Sequence, residues 1–309
     1  MQTRSYIRAA AFLLLSALPL SYLSAIELKT SAARFLFNIT ADQNGQLVLP
    51  SDIASYKKRL YVVDGGQHRV VVFNQQGKFL FSFGKAGNKK AEFNYPVGID
   101  VAVNGDVYVA DSGNRRIQVF SAKGKYKRSF KTRSGRYLIR PIDVLVDEKQ
   151  KRLMVTGNEN HKVMVFSLTG KLKKSWGDHG VGEAEFRYPA TLAHLKDGRV
   201  AVVDVLNSRV QVFEKNGKYN SQVSGWGVTA GQVFRPKGIA VSSNGNIYVS
   251  DSYLNAVQVF SDEGDFLHLL DTGDQHELFT PVGITVDANN RLYITEMRRN
   301  RISVFQLSR

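Results

Sequence analysis

Several residue types and motifs that carry chemistry are scarce or missing in this chain. None of its 309 residues is cysteine, which excludes disulfide bonds, thiolate metal sites and lipid attachment through cysteine. Histidine occurs only six times, at positions 68, 161, 179, 194, 268 and 276. The sequence has no G-x-S-x-G elbow, no P-loop and no paired-carboxylate signature. We therefore predict no catalytic residue and no cofactor from motifs alone.

The first 25 residues have the pattern of a secretory signal peptide. Arg4 and Arg8 form a basic start, residues 9–20 are an apolar run, and residues 23–25 (Leu-Ser-Ala) offer a cleavage point. An uncleaved membrane anchor is the alternative. It is disfavoured because the run is shorter than the ~20 residues of a spanning helix and contains Pro19. We expect a periplasmic or extracellular protein with no membrane span left after cleavage.

Residues 93–130 contain the unit from which the rest of the chain is built. Short β-branched or aromatic runs lie at 98–103, 107–110 and 117–120, and a fourth ends at Phe130. Turn sequences at 104–106, 112–114 and 123–124 separate them. Runs of this length between Gly, Asn and Asp are typical of antiparallel strands joined by tight turns. We predict a four-stranded meander that is apolar on both faces and needs neighbours.

The unit recurs along the chain every 45 to 48 residues. Its proline stands at positions 50, 96, 141, 189, 236 and 281, and the Phe of a Val-Phe pair at 73, 120, 166, 213, 260 and 305. A period of about 40–50 residues with four strands per unit is typical of β-propellers. We predict an all-β fold, a six-bladed β-propeller with four antiparallel strands per blade.

The two ends of the chain are predicted to meet in the last blade. Only four residues follow Phe305, too few for a fourth strand, whereas residues 34–39 resemble the fourth strand at 78–83. An N-terminal strand closing blade six would remove an open sheet edge. The predicted organisation is a signal peptide at 1–25, a short tether at 26–33 and the propeller at 34–309.

The repeats resemble a known family. Blade two reads P-V-G-I-D-V, then Y-V-A-D-S-G-N-R-R-I-Q-V-F, and blades five and six read similarly at 236–261 and 281–305. This pattern resembles the NHL-repeat six-bladed propellers. The resemblance implies the fold but not one function, since such relatives include RNA-binding and ubiquitin-ligase scaffolds, bacterial exported proteins and peptide-amidating lyases. The lyases use a channel zinc held by several histidines.

An acid and a base recur at the two ends of the turn between strands two and three. The acids are Asp64, Asp111, Asp204, Asp251 and Glu296, and the bases five positions after the acid slot are Arg69, Arg116, Lys162, Arg209 and Arg301. Gly157 and Ala256 interrupt the pattern and leave Lys162 and Asp251 without the usual partner. We predict that these pairs hold the turns, because a catalytic site needs one copy.

The first strand of each blade should line the central channel. Asp52 and Asp143 occupy there a slot that is Gly98, Gly238 or Gly283 in other blades, and His194 is the one histidine on such a strand. They are channel candidates for a cation or ligand, with solvated carboxylates as the alternative. Zinc needs three or four converging ligands, and no set from different blades meets this. The histidines at 68, 161, 179 and 276 could approach one another on one face.

The aromatic residues between blades are predicted to be packing residues. Trp176 and Trp226 each precede a glycine at the end of a fourth strand, which favours packing between blades over a sugar-stacking platform. The phenylalanines at 93, 186, 234 and 279, just before the prolines, are predicted plugs between blades.

Basic charge is the remaining clue to function. Without Arg4 and Arg8 the chain has 40 basic against 27 acidic residues, a net charge of +13. One face, the loop face, consists of the turns between strands two and three and the connections between blades. Its predicted binding-surface residues are Lys85, Lys89, Lys90, Arg115, Lys131, Arg133, Arg136 and Arg140. Such a surface attracts polyanions and acidic proteins.

These observations favour an exported, non-enzymatic, monomeric platform that binds a protein or an anionic polysaccharide of the cell envelope. Nucleic acid is not the expected partner of an exported chain. The alternative is a metal-dependent lyase or hydrolase that uses the channel with Asp52, Asp143 and His194.

Overall fold

The computed structural model describes residues 30–43, 45–273 and 276–308, which form a six-bladed propeller. Each blade is one sheet in which an inner, second, third and outer strand pair in that order. The predicted fold class is therefore confirmed. The predicted signal peptide and the first four residues of the predicted tether lie outside the described residues. Within the described part of the chain, no helix is long and apolar enough to cross a membrane.

The strands repeat in register from blade to blade. The inner strands are Pro50–Tyr56, Pro96–Val101, Pro141–Asp147, Pro189–His194, Pro236–Val241 and Pro281–Val286. The second strands are Arg59–Asp64, Val107–Asp111, Arg152–Gly157, Val200–Asp204, Ile247–Asp251 and Arg291–Glu296. The third strands are Arg69–Asn74, Arg116–Phe120, Lys162–Ser167, Arg209–Phe213, Ala256–Phe260 and Arg301–Gln306. The outer strands are Phe79–Phe83, Tyr126–Lys131, Leu172–Trp176, Tyr219–Trp226, Phe266–Asp271 and Arg34–Ile39.

Shorter elements decorate the loop face. Two-residue strands lie at Ala41–Asp42, Gly45–Gln46, Arg133–Ser134, Tyr137–Leu138, Asp178–His179, Glu185–Phe186 and Gln232–Val233. Single 3₁₀ turns at Gly65–Gln67, Ser112–Asn114, Val205–Asn207 and Met297–Arg299 join second to third strands. The residue ending this connection, such as His68 or Arg115, adopts the left-handed conformation in every blade, with φ between 51° and 54°.

The N-terminal strand closes the ring as predicted. Arg34–Ile39 pairs antiparallel with Arg301–Gln306, so the last blade combines both ends of the described chain. Part of the predicted tether is also strand, since Thr30–Ala32 pairs in parallel with the outer strand of blade five. Both contacts cover sheet edges that would otherwise offer unpaired backbone groups.

The core lies between neighbouring blades. The phenylalanines of the six Val-Phe pairs are at most 1% exposed, and each packs with aliphatic side chains of its own and the adjacent blade. Burying a side chain of this size contributes about 1.5–3 kcal/mol. The predicted plugs are correct at Phe93 and Phe186, but Phe279 is 38% exposed. Before blades five and six the buried plug stands one residue earlier, at Val233 and Leu278.

Candidate functional site

Buried acid–arginine pairs hold the turns of the loop face, as the repeated pattern predicted. The arginine Nε lies within hydrogen-bond distance of the carboxylate in four blades: Arg69–Asp64 at 2.8 Å, Arg116–Asp111 at 2.6 Å, Arg209–Asp204 at 2.9 Å and Arg301–Glu296 at 2.7 Å. The acid also accepts the backbone N–H of the residue two positions before the proline of its own blade, such as Asn94 before Pro96 for Asp111. Each pair therefore fixes the entry to an inner strand.

The two blades that depart from this pattern satisfy their charges in other ways. Lys162 donates to the carbonyl of Gly177 and to the carboxylate of Asp178, both at 2.6 Å. Asp251 accepts four backbone N–H groups, among them those of Phe234 at 2.6 Å and Tyr253 at 3.0 Å. Both residues therefore have structural partners despite the interrupted pattern.

Arg116, the arginine of the pair in blade two, also holds the first half of the predicted basic surface in place. Its Nη2 donates to the carbonyls of Lys89 at 2.7 Å and Glu92 at 2.8 Å, and Gln118 donates to the carbonyl of Glu92. We call residues 85–92 the first arm and residues 131–140 the second arm. The clamp gives the first arm a fixed backbone although its lysines are exposed.

Asn114 joins the two arms into one surface. Its Nδ2 donates to the carbonyl of Gly87 at 2.8 Å in the first arm, and its own carbonyl accepts from Lys131 Nζ at 3.0 Å in the second arm. In the second arm, the Arg133–Ser134 strand pairs with the Tyr137–Leu138 strand. The structure therefore brings the lysines of the first arm next to the basic residues of the second.

Three of the eight predicted cations, Lys85, Arg115 and Arg140, lie beside a carboxylate. Glu159 accepts both guanidinium nitrogens of Arg115, at 2.8 and 2.9 Å, and lies 3.4 Å from Arg140. Lys85 lies 3.6 Å from Glu92. Among the described residues no carboxylate lies within 4 Å of the remaining exposed cations, which are Lys89, Lys90, Lys131, Arg133 and Arg136. Sequence reasoning missed Glu159, because it lies 44 positions from Arg115.

A cavity of about 340 Å³ occupies the channel, and the three channel candidates Asp52, Asp143 and His194 line it. Asp52 accepts the N–H of Ile99 at 2.9 Å, and Asp143 accepts the N–H of Leu192 at 2.9 Å. Asp100, which sequence reasoning missed, accepts the N–H of Val146 in the next blade at 2.7 Å. These amides lie on the inner edge of a sheet, where no further strand can pair with them. The carboxyls therefore link successive blades.

Burial sets the protonation of the channel. It raises the pKa of Asp52 to about 7 and that of Asp100 to about 6. Burial is the main cause that raises the pKa of Asp143 well above its ordinary value, and the negative charge of Asp52 raises it further. The channel therefore carries less negative charge at neutral pH than its three acids suggest.

His194 lies on the same cavity but belongs to a different part of it. The charges that act on it are those of Asp147, Arg152 and Lys149 around the turn of blade three, whereas Asp52 and Asp143 interact with each other. Burial lowers the pKa of His194, and its Nε2 has no hydrogen-bond partner in the described chain. No group of three His, Asp or Glu residues within the described ranges has the arrangement of a metal site.

Comparisons with known proteins agree with this geometry. A family profile for the NHL repeat matches residues 93–120, and one described as a 6-bladed beta-propeller matches residues 190–268. The chain is a six-bladed β-propeller, and its residues 93–120 match the NHL repeat.

One curated protein and several solved structures are similar to this propeller. The chain is 26% identical over 136 residues to the protein Brain tumor of Drosophila melanogaster, a match that covers 43% of this chain and only 13% of that protein. A gluconolactonase from Xanthomonas campestris has a TM-score of 0.68 at 16% identity, covering 91% of this chain and 96% of its own. A streptogramin B lyase has a TM-score of 0.64 at 15% identity, covering 88% and 98%. These two structures show likeness of fold alone.

The four loop-face histidines of the propeller do not converge. The rings of His161 and His179 lie 4.5 Å apart. His68 instead contacts Tyr95, and His276 is buried against Phe35. The histidines therefore divide into separate structural contacts.

The two tryptophans of the propeller have different environments. Trp176 packs against Phe213, as predicted. Trp226 is 70% exposed, so its assignment to packing between blades is wrong. It belongs to an aromatic cluster on the loop face, in which the ring centroid of Phe234 lies 6.5 Å from that of Trp226 and 4.4 Å from that of Tyr253. The longer outer strand of blade four, which continues to Trp226, carries this side chain out to solvent.

Proposed function

We propose that this propeller is an exported, non-enzymatic binding platform that engages an acidic partner of the cell envelope through its two basic arms. The observation that carries the proposal is the combination of fixed backbone and free charge. Arg116 and Asn114 hold the arms together, while Lys89, Lys90, Arg133 and Arg136 remain exposed without a carboxylate partner in the described chain. Charge held in a fixed arrangement favours specific association over diffuse attraction.

Retention on a column of heparin, an anionic polysaccharide, tests the arms. The variant replaces Lys89, Lys90, Arg133 and Arg136 with Glu. The matched control replaces Lys57, Lys58, Lys171 and Lys173 with Glu, which changes the net charge equally on the opposite face. We expect the arm variant to elute at much lower salt than the control. Equal elution of both variants would mean that overall charge, and not the arms, determines binding.

A channel enzyme is a second candidate. It is supported by the unpartnered Nε2 of His194 beside a cavity that also holds Asp52 and Asp143. Elemental analysis of the untagged protein, purified from its native compartment without chelator, tests it. One equivalent of zinc or calcium per chain would favour this candidate over the platform, whereas a metal-free protein that retains heparin binding would reject it.

A further inference from the structure

The residue just before each inner strand lies at the loop-face mouth of the channel, because the inner strands line that channel. In blade order these residues are Leu49, Tyr95, Arg140, Tyr188, Arg235 and Thr280. In blades two to five they alternate as Tyr95, Arg140, Tyr188 and Arg235, which we call the Tyr–Arg arc. The arc shares Arg140 with the second arm and follows the mouth from blade two to blade five.

The two tyrosines are exposed in backbone conformations that bulky residues rarely adopt. Tyr95 is 64% exposed with φ of 45°, and Tyr188 is 47% exposed with φ of 62°. A left-handed backbone at an aromatic residue carries strain. The strain is not offset by burial of the ring, since both rings remain in contact with solvent.

The same histidine contact supports each tyrosine, two blades apart. His68 Nδ1 accepts the backbone N–H of Tyr95 at 2.9 Å, and His161 Nδ1 accepts that of Tyr188 at 3.3 Å. The ring centroids lie 4.6 and 5.4 Å apart in the two pairs. The tyrosines are therefore held in place before a ligand arrives, which lowers the entropy lost on binding.

The arginines of the arc supply complementary charge. Arg235 is exposed, and within the described residues no carboxylate lies within 4 Å of its side chain. Its backbone N–H is fixed by Asp251 at 3.0 Å. Arg140 shares Glu159 with Arg115 and keeps an exposed side chain.

The arc continues into the exposed aromatic cluster. Phe234 is the chain neighbour of Arg235, and it contacts Tyr253, which is 63% exposed, beside Trp226. Exposed apolar patches of this kind mark protein interaction sites. Tyrosine, tryptophan and arginine are also the residues that dominate binding energy in protein interfaces.

We propose that the Tyr–Arg arc and the adjoining aromatic cluster bind an extended acidic segment of a protein partner. Its apolar side chains contact Tyr95, Tyr188 and Trp226, and its carboxylates pair with Arg140 and Arg235. In an extended segment every second side chain lies on the same face. A segment in which apolar and acidic residues alternate along that face would therefore meet the rings and cations of the arc in turn. The inference rests on the proposal that this face engages an acidic partner, and it identifies that partner as protein.

Selection from a random peptide library against residues 26–309 tests the inference. We expect selected peptides to combine acidic with large apolar residues. Replacement of Tyr95 and Tyr188 with Asn should weaken their binding about tenfold or more, as loss of central interface residues does. Asn tolerates the left-handed conformation and thus preserves the fold. The control is Val103→Asn, which removes an exposed apolar side chain from the turn between the inner and second strands, on the opposite face.

The outcomes separate this inference from the role of the arms. The double variant should keep the salt dependence of heparin retention, because all arm cations remain. Unchanged peptide affinity in the double variant, or a selected consensus without acidic residues, would overturn the inference. So would a wild-type protein that selects no peptide but binds a polyuronate or single-stranded RNA in a Tyr95- and Tyr188-dependent manner.

Discussion

Removing the arginine of the blade-two clamp tests both the stability and the function assigned to it. Arg116 is 8% exposed, and its partner Asp111 is fully buried. Arg116→Ala deletes the 2.6 Å ion pair and the donors to two carbonyls of the first arm. Breaking a buried pair by removing one partner costs about 3–5 kcal/mol. We expect the lower end, about 3 kcal/mol, because Asp111 keeps its bonds from Asn94 and Asn114.

This loss is large enough to measure by thermal unfolding. With an entropy of unfolding of about 2.1 cal/mol/K per residue, about 3 kcal/mol lowers the Tm of a propeller of this length by about 5 °C. Circular dichroism and tryptophan fluorescence should report the same transition. Heparin retention should also fall, because the first arm loses the contacts that hold it although its charges are unchanged.

Blade four provides the matched control for the clamp. Arg209 makes the same contacts there, with Asp204 and with the carbonyls of Gly182 and Glu185. Arg209→Ala should therefore lower the Tm equally and leave heparin retention unchanged. A Tm for Arg116→Ala within 1–2 °C of wild type would refute the energetic reasoning. Equal loss of retention in both variants would refute the link between the clamp and the arm.

Three further predictions follow from buried groups and exposed rings. Because burial raises the pKa of Asp52 above its unfolded value, the native state holds the proton between about pH 4 and 7, and unfolding free energy falls as pH rises through that window. Asp52→Asn should flatten this slope in urea titrations at pH 5 and 8. Burial lowers the pKa of His276, so acidification through about pH 6.5 should destabilise the closing strand that it packs against. Hydrogen-exchange protection factors in Arg34–Ile39 should therefore fall, unless His276 is replaced by Phe. Trp176→Ala should cost about 2 kcal/mol or more in chemical unfolding, whereas Trp226→Ala should change stability by less than about 0.5 kcal/mol.

The fold was predictable because its signals are local and recur. Gly and Asn turns bounded the strands of blade two to within about two residues, and the proline and Val-Phe positions set the number of blades. Closure followed from counting the residues after Phe305 and matching an apolar pattern at the other end. Each of these signals depends on neighbouring residues along the chain.

The candidate site was only partly predictable because its properties depend on contacts across blades. Counting charges gave eight candidate cations but could not reveal that Glu159 pairs with two of them, Arg115 and Arg140. The glycine after Trp226 matched the packing slot of Trp176, yet a longer strand exposes the ring. Asp100 was missed because its slot is two residues beyond that of Asp52, and only the neighbouring blade shows their common role.

Comparison among the six repeats separates residues that maintain the fold from those free to recognise a ligand. The acid–arginine slot is buried, so each departure there needs a compensating contact, as in Lys162 with Asp178. The slot before each inner strand is exposed in blades one to five, and surface substitutions typically change stability by less than about 0.5 kcal/mol. Side chains there can diverge without loss of the fold, and they do diverge, from Leu49 to Tyr95 to Arg140. Substitutions at these exposed positions can therefore change what the propeller binds, while the buried acid–arginine pairs keep its fold intact.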